Sequence, residues 1–406
     1  MHKKLLAMIL ACAMVIGLAS CGKSVQDNGS AAASAPAATS DTASEDAMKV
    51  GFVYIGDDSE AYTANFIAAE NAIKETYGDQ VQTIAKYNVP EDAVEDPLVE
   101  LCEAGCKIIF SASFGYGEKA KELAAQYPDI QFCQATCANA DKDTANYHTY
   151  MGAIYEGRYV AGIVAGMKMK ELVDAGTVTA DKAKIGYVAA YPYAEVISGY
   201  TAFLMGVRSV VPEATMEVNY TNSWGDYETE KTMATAMIED GCVIISQHSD
   251  TEGPAEACEA ATKKGTTVFH VGYNQSMVDI APNSSLISSR QDYAPYEVGA
   301  VKAVMDGTEL PVDQWAGFDE GWVAMTDLNE EIAAEGTREA MDAAIQDFKD
   351  GKLTAKDIYK GDYKGTDPFD KNNTIDLTEG FAENSTQSAP TFAYVLDDVI
   401  TVLSTN

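Results

Sequence analysis

The amino-acid sequence predicts an α/β protein of two doubly wound, Rossmann-like lobes joined by a hinge. Three observations predict it. Short apolar runs rich in β-branched and aromatic residues alternate with stretches of helical periodicity. That alternation starts near Met48 and starts again, in similar order, at Lys184. Beyond the N-terminal segment roughly 360 residues remain, a length that suits two domains. Near-continuous apolar strands belong to parallel sheets covered by helices on both faces.

The N-terminus reads differently. A short basic start, "MHKK", precedes the apolar run Leu5–Ala19, which is too short to span a bilayer comfortably and reads as a signal-peptide core. It ends in "LASCG", which resembles a bacterial lipobox, so cleavage before Cys21 and lipidation of Cys21 are expected. Residues 22–47 are almost wholly Gly, Ser, Ala, Thr, Asp and Pro without an aromatic, the composition of a flexible tether. Anchor, tether and body together predict a protein held at the cell membrane by lipid and facing outside.

Each element then follows. "KVGFVYIG" (Lys49–Gly56) reads as a strand and "AYTANFIAAENAIKETYG" as a helix ending on Gly78. The series continues with "VQTIAKYNV", helix "EDPLVELCEAG", strand "CKIIFSAS", helix "EKAKELAAQYP" and strand "IQFCQAT". After the segment "NYHTYMGAI" comes helix Tyr155–Val173, where "YEGR" is expected to form ion pairs at the helix start. The second series is strand "KIGYVAA", helix "EVISGYTAFLMGVRSVVP", strand "TMEVNYTN", helix "YETEKTMATAMIEDG", strand "CVIISQ", helix "GPAEACEAATKKG" and strand "TTVFHVG".

Composition excludes some functions. Acids outnumber bases by 62 to 28, a formal charge of −34, and no Lys/Arg cluster offers the basic face that nucleic acid needs. The six cysteines after the signal lack zinc spacing, leaving disulfides or single buried thiols open. There is no P-loop, dinucleotide glycine fingerprint or nucleophile elbow, and the histidines lack metal spacing. No catalytic constellation, cofactor or metal is expected.

In open α/β sheets ligands bind beyond the carboxyl ends of the strands, and those loops are rich in aromatic, amide and carboxylate side chains. They carry Asp58, Ser59 and Tyr62, then Phe114 and Tyr116, then Tyr193 and Glu195. Further along lie Asn222, Trp224 and Asp226 of "YTNSWGD", Gln247, His248 and Asp250 of "SQHSD", Asn274, and Asp292. This is the composition of a cleft that stacks a flat ligand and hydrogen-bonds its edge. Trp224 in a polar turn either plugs a core or walls that cavity.

The stretches "YEGRYVAGIVAG", "AEVISGYTAFLMGVRSVVP", "YTNSWGD", "SQHSD" and "APTFAYVLDDVI" resemble the basic membrane protein (BMP) family, purine nucleoside receptor A-like. The resemblance runs from about residue 48 almost to the C-terminus. It implies a substrate-binding lipoprotein of an ABC importer, of the type I periplasmic-binding fold, monomeric, with permease subunits as partners. It also implies a purine nucleobase or nucleoside held between one aromatic from each lobe, here Tyr62 and Trp224. Where nucleoside binders carry a glycine-rich loop this chain has Gln247 and His248, whose bulk favours a free nucleobase. A sugar or another small polar ligand is the alternative.

The expected organisation is signal peptide 1–20, lipidated cysteine and tether 21–47, a first lobe of 48–178 with 291–312, a second lobe of 179–290 with 313–360, and a tail 361–406 packed on a lobe. Hinge crossings are expected near 173–184, 281–291 and 310–318. In the tail only "FAYVLDDVITVL" reads as a helix or an apolar strip.

Overall fold

The computed structural model describes residues 46–384 and 387–404; the signal peptide, Cys21 and nearly all of the tether lie outside them. The first series comprises β1 (Met48–Tyr54), α1 (Ala61–Tyr77), β2 (Val81–Lys86), α2 (Glu95–Glu103), β3 (Ile108–Ala112), α3 (Gly117–Gln126), β4 (Gln131–Ala135) and β5 (Tyr147–Gly152). The second comprises α4 (Ile154–Asp174), β6 (Lys184–Ala189), α5 (Ala194–Arg208), β7 (Thr215–Tyr220), α6 (Tyr227–Glu239), β8 (Ile244–His248), α7 (Gly253–Thr262), β9 (Phe269–Tyr273) and β10 (Ser285–Gln291). Then come α8 (Ala294–Asp306), β11 (Asp313–Ala316), β12 (Val323–Met325), α9 (Thr337–Lys349) and α10 (Ala355–Ile358). The tail contributes β13 (Lys364–Thr366), β14 (Thr374–Asp376), β15 (Val395–Leu396) and β16 (Ile400–Ser404).

These strands form two large sheets, ordered β11-β5-β4-β3-β1-β2 and β12-β10-β9-β8-β6-β7-β16. Every pairing within them is parallel except β10 with β12. The two-residue period of a strand explains why apolar runs are continuous. Along β1, Val50, Phe52 and Tyr54 join the core under α1 and α8, while Val53 joins a separate core with Leu98 and Ile109.

Three features differ from expectation. Helix α4 packs on α5, α9 and β10 and so belongs to the second sheet, although it was expected within a first lobe reaching residue 178. Its charges sit in its end turns and its middle, Tyr159–Met167, is apolar all round, so its sequence carries no mark of which sheet it covers. Strand β11 pairs with β5, placing 313–316 in the first sheet and not the second. The chain therefore passes between the sheets at Ala153, at 292–293 and at 317–322: the first lies far from the expected 173–184, while the other two fall at the C-terminal ends of the expected 281–291 and 310–318. The tail's apolar strip is no helix: β15 pairs with β13, and β16 adds a parallel edge strand beside β7.

Two glycines set the crossing of α4 and α5. A Cβ on Gly162 would lie 2.1 Å from the Phe203 carbonyl oxygen, and one on Gly206 would lie 2.1 Å from that of Tyr159. The helices touch backbone to backbone, which only glycine permits. All six described cysteines are free and buried, and burial pushes the Cys102 and Cys106 thiols up to about 11. Among the described residues no helix is long and apolar enough to cross a membrane.

Candidate functional site

The carboxyl ends of both sheets' strands meet at one cavity of about 410 Å³, its open mouth included. Ile55, Tyr62, Ser113, Phe114 and Thr136 reach it from the first sheet's side, and Glu195, Trp224, His248, Asp250 and Tyr273 from the second's.

Tyr62 stands on the first turn of α1, whose start Glu60 caps by accepting from the Thr63 amide at 3.3 Å. Its hydroxyl meets Thr136 Oγ1 at 3.1 Å. Its ring lies edge-on to Phe66 at 5.0 Å, and Phe66 stacks on Tyr293 at 4.0 Å. Thr136 adopts φ 56°, a left-handed conformation costing a β-branched residue on the order of 1–3 kcal/mol. That strain lies at the end of β4, where the Thr136 amide donates to the Tyr150 carbonyl at 3.0 Å.

Trp224 lies in the turn after β7. Asn222 takes φ 56°, which asparagine tolerates better than most residues. The Thr221 hydroxyl donates to Ser223 O at 2.7 Å, and Asp226 accepts from the Thr229 amide at 3.1 Å, capping α6. The Asp250 amide donates to Trp224 O at 2.9 Å, joining this turn to the one after β8. The indole meets Tyr191 edge-on at 5.1 Å and Tyr193 at 6.1 Å, while Tyr193 lies 5.6 Å from Phe114 of the opposite side. A line of aromatic rings thus crosses the mouth of the cleft.

The polar wall is acidic. His248 Nε2 lies 3.5 Å from Glu195 Oε1. Burial, then the neighbouring Arg158 charge, push the imidazole down to about 4, so it is neutral at pH 7. Arg158 is buried, lies 3.6 Å from the centre of the Tyr273 ring, and donates from Nη1 to Gln247 O at 2.9 Å. No carboxylate pairs with it among the described residues, contrary to the ion pairs expected of "YEGR". Burial, then the charges of Glu60, Glu230 and Glu195, hold the Asp250 carboxyl well above its ordinary range. Asn274 donates to Asp250 Oδ1 at 3.4 Å and accepts from Asn65 of α1 at 2.9 Å, linking the second sheet's site loop to the first sheet's helix. Glu230 accepts from the Ser249 and Thr251 hydroxyls at 2.8 and 2.7 Å and so fixes the loop that carries Asp250.

Of the side chains singled out in sequence, Tyr62, Phe114, Glu195, Trp224, His248 and Asp250 line the cavity. Tyr193 stands at its mouth, 43% exposed, and Asn274 lies behind Asp250. The others do not line it. Asp58 is exposed, and the Ser59 hydroxyl donates to Asp57 at 2.5 Å. Tyr116 is buried in the first core and donates to Val89 O at 2.5 Å. Asn222 and Asp226 shape the Trp224 turn. Gln247 faces away, donating to Ser249 O and Thr251 O at 2.9 and 2.8 Å with its Oε1 2.9 Å from His270 Nε2, so its bulk does not fill the cavity. Asp292 pairs with Arg290 at 2.9 Å and accepts from the Ala294 amide at the start of α8. For Ser59, Asn222, Asp226 and Asp292 the physical reason is shared: short polar side chains at strand ends also shape turns and cap helices. Ser113 was read in sequence among the residues following the third strand, and Arg158 only as an ion-pairing residue, while Ile55, Thr136 and Tyr273 escaped the sequence reading; Tyr273, as the last residue of a strand, was findable by the same rule.

The arrangement stacks and hydrogen-bonds. The cavity's one serine, Ser113, donates to Glu91 at 2.6 Å and not to His248.

Residues 49–350 match the family model described as ABC transporter substrate-binding protein PnrA-like. The chain is 34% identical over 283 residues to a purine-binding protein of Brucella abortus (strain 2308), covering 69% of this chain and 75% of that one. It is 32% identical over 267 residues to a putative ABC transporter glucose-binding protein of Haloferax volcanii, covering 66% of this chain and 63% of that one. Among solved structures, an ABC transporter solute-binding protein from Aeropyrum pernix K1 superposes with a TM-score of 0.66 at 17% identity, over 76% of this chain and 92% of the other. A parallel two-sheet fold with its cleft between the strand ends, and a family match over most of the body, lead to one statement: this chain is a member of the PnrA-like (Bmp) family of ABC transporter substrate-binding proteins.

Proposed function

We propose that the cleft binds a purine, as free base or nucleoside, and delivers it to an ABC permease by closure of the two lobes. One observation carries the reading: Tyr62 from one lobe and Trp224 from the other wall a single cavity whose remaining polar groups include Glu195, Asp250 and a neutral His248 beside the hydroxyls of Ser113, Thr136 and Tyr273. A purine offers two flat faces to such rings and N–H donors to such carboxylates. The purine-binding relative in Brucella abortus supports the same reading. The three passages at Ala153, 292–293 and 317–322 form the hinge, with the lobes running 48–152 plus 294–316 and 154–291 plus 323–349. Cys21 carries the lipid that holds the protein on the outer side of the membrane, with the tether giving it reach; Cys21→Ala protein is expected in the soluble fraction.

The name of the Haloferax volcanii relative keeps a sugar as the second reading, since sugars also stack on aromatics beneath carboxylates. Titration calorimetry of the mature protein against bases, nucleosides, hexoses, pentoses and amino acids decides. Binding of a base or nucleoside without sugar binding is expected; tight hexose binding without any purine binding overturns the proposal.

A further inference from the structure

Arg158, near the start of α4, is 1% exposed, and its Nε and Nη2 find no hydrogen-bond partner among the described residues. Burying a charge without a counter-charge is costly, and what this one touches gives the cost a use. Its backbone is pinned. A Cβ on Gly157 would lie 3.2 Å from Ser289 Cβ and 2.9 Å from Val323 Cγ1, so glycine lets α4 press on β10 and β12. From there the guanidinium reaches two cavity walls from behind. It covers the Tyr273 ring at 3.6 Å, and Nη1 donates at 2.9 Å to the carbonyl of Gln247, the residue before His248. Tyr273 and His248 line the cavity with their rings 4.6 Å apart, whereas Arg158 does not line it. His248 in turn stands between opposite charges. Its Nε2 is 3.5 Å from Glu195 Oε1. Its Nδ1 has no partner among the described residues and turns to α5, where a Cβ on Gly199 would lie 3.0 Å from Nδ1 and 3.7 Å from Arg158 Cγ. A cation on the Nδ1 side and a carboxylate on the Nε2 side both favour the imidazole proton on Nε2.

We propose that Arg158 is a positioning residue of the cleft: from behind the wall it seats Tyr273 and the end of β8 and keeps the proton of His248 on Nε2, so that Glu195 presents one free carboxylate oxygen to the ligand. With Nε2–H donating to Oε1 of Glu195, the other oxygen accepts from an N–H of the ligand. A second proton, on Nδ1, would set an imidazolium against Glu195 and draw the carboxylate away from the ligand; the Arg158 charge opposes that proton. Besides Glu195 of α5 and Arg158 of α4, the titratable groups facing His248 are Tyr273 of β9, Asp250 of its own loop and Tyr62 of α1 across the cavity. The inference rests on reading the cleft as the ligand site.

The test joins nitrogen-15 NMR of the mature protein, labelled at histidine, to calorimetry. The His248 signals are assigned by their absence from His248→Gln. Wild-type His248 is expected as the Nε2–H tautomer from pH 7 to 5. Arg158→Gln keeps a donor for the Gln247 carbonyl without the charge, and its His248 is expected to take up the second proton at least about one pH unit higher. Calorimetry compares the two proteins, at pH 7 and 5, with the purine base that wild type binds most tightly. The ratio of their affinities removes what Asp250 and Glu60 contribute to both. Arg158→Gln is expected to bind about threefold to tenfold more weakly at pH 7 and to lose about a further threefold at pH 5. In a His248→Gln background that further loss is expected to vanish. An Nδ1–H tautomer in wild type, an unchanged His248 titration in Arg158→Gln, a ratio constant with pH, or a further loss that persists without His248 each overturns the proposal. Arg158→Met, uncharged, repeats both measurements where Arg158→Gln does not fold; if neither folds, Arg158 serves the fold alone and the proposal falls. If no purine binds, the functional reading falls, while the NMR titration still decides whether Arg158 sets the proton of His248.

Discussion

Tyr62 and Trp224 show how a single large ring is held against a cavity. Neither is a core plug: each keeps a face on the cavity while its edge is braced, Tyr62 by Phe66 and Thr136, Trp224 by Tyr191. Truncation to alanine is expected to weaken ligand binding about tenfold or more in each case, since stacking of a base contributes roughly 1–3 kcal/mol. Tm is expected to move by only a few degrees; collapse of the fold on Trp224→Ala overturns its role as a cavity wall. The buried histidine offers a second measurement. His248 is held down at about 4 against an ordinary 6.5, so between those values the unfolded chain binds a proton that the folded one refuses. Stability contributed by neutral His248 is complete above pH 6.5 and is lost as pH falls towards 4, by about 1.4 kcal/mol per pH step. Denaturant titrations of wild type and His248→Gln from pH 7 to 4.5 are expected to converge or cross towards acid; curves that stay parallel refute it. Aspartates and asparagines at the strand ends were harder to read. Asp226 and Asp292 are drawn to helix starts by unpaired amides as strongly as any ligand could draw them. Thr136 left no trace in sequence, because its left-handed backbone comes from the surrounding fold.

At the scale of elements, the apolar runs of β1, β3, β6 and β8 and the amphipathic helices between them were legible, because burial on both faces leaves an unbroken hydrophobic signature. Strand β5 was not. Its His148 and Thr149 look like loop residues, but His148 lies 2.8 Å from both Pro311 O and Gln131 Oε1, and Thr149 donates to Asp313 at 2.7 Å, contacts that exist only once β4 and the segment leading into β11 flank it. The α4–α5 crossing carries the sharpest packing prediction. Gly162→Ala drives a methyl into the Phe203 carbonyl, so the helices must separate. A loss of about 1–3 kcal/mol is expected, read as a lowered denaturation midpoint with unchanged ligand affinity in the folded fraction. The link from Asn65 through Asn274 to Asp250 predicts the reverse pattern. Asn65→Ala touches no cavity wall, yet it removes a buried bond between the lobes. Affinity is expected to fall about threefold to tenfold, with a larger radius of gyration in solution scattering of the free protein. An unchanged affinity refutes the link.

At the scale of the molecule, the chain passes three times between the two sheets, and a buried carboxylate ties two of those passages together. The first passage ends at α4, and Glu156 on its first turn accepts from the Phe318 amide of the third passage at 2.9 Å. A Cβ on Gly317 would lie 2.1 Å from that carboxylate, so the strand-to-strand link closes tightly around it. Burial, reinforced by Asp319, raises the Glu156 carboxyl to about 7. Its folded value exceeds its unfolded one, so its favourable contribution is full below about 4.5 and is lost as pH rises through 7, by about 1.4 kcal/mol per pH step. Glu156→Gln keeps an acceptor for the Phe318 amide without the charge. Its stability is therefore expected to match that of wild type near pH 5 and to exceed it at pH 8, measured by urea titration of the mature protein. Ligand affinity in the same buffers reads the consequence for closure: the ratio of variant to wild-type affinity changes between pH 5 and 8 if Glu156 sets the hinge, and stays constant if it only supports the fold. Equal stabilities at both pH values show that the carboxyl titrates in its ordinary range, and the hinge then has no charge stored in it.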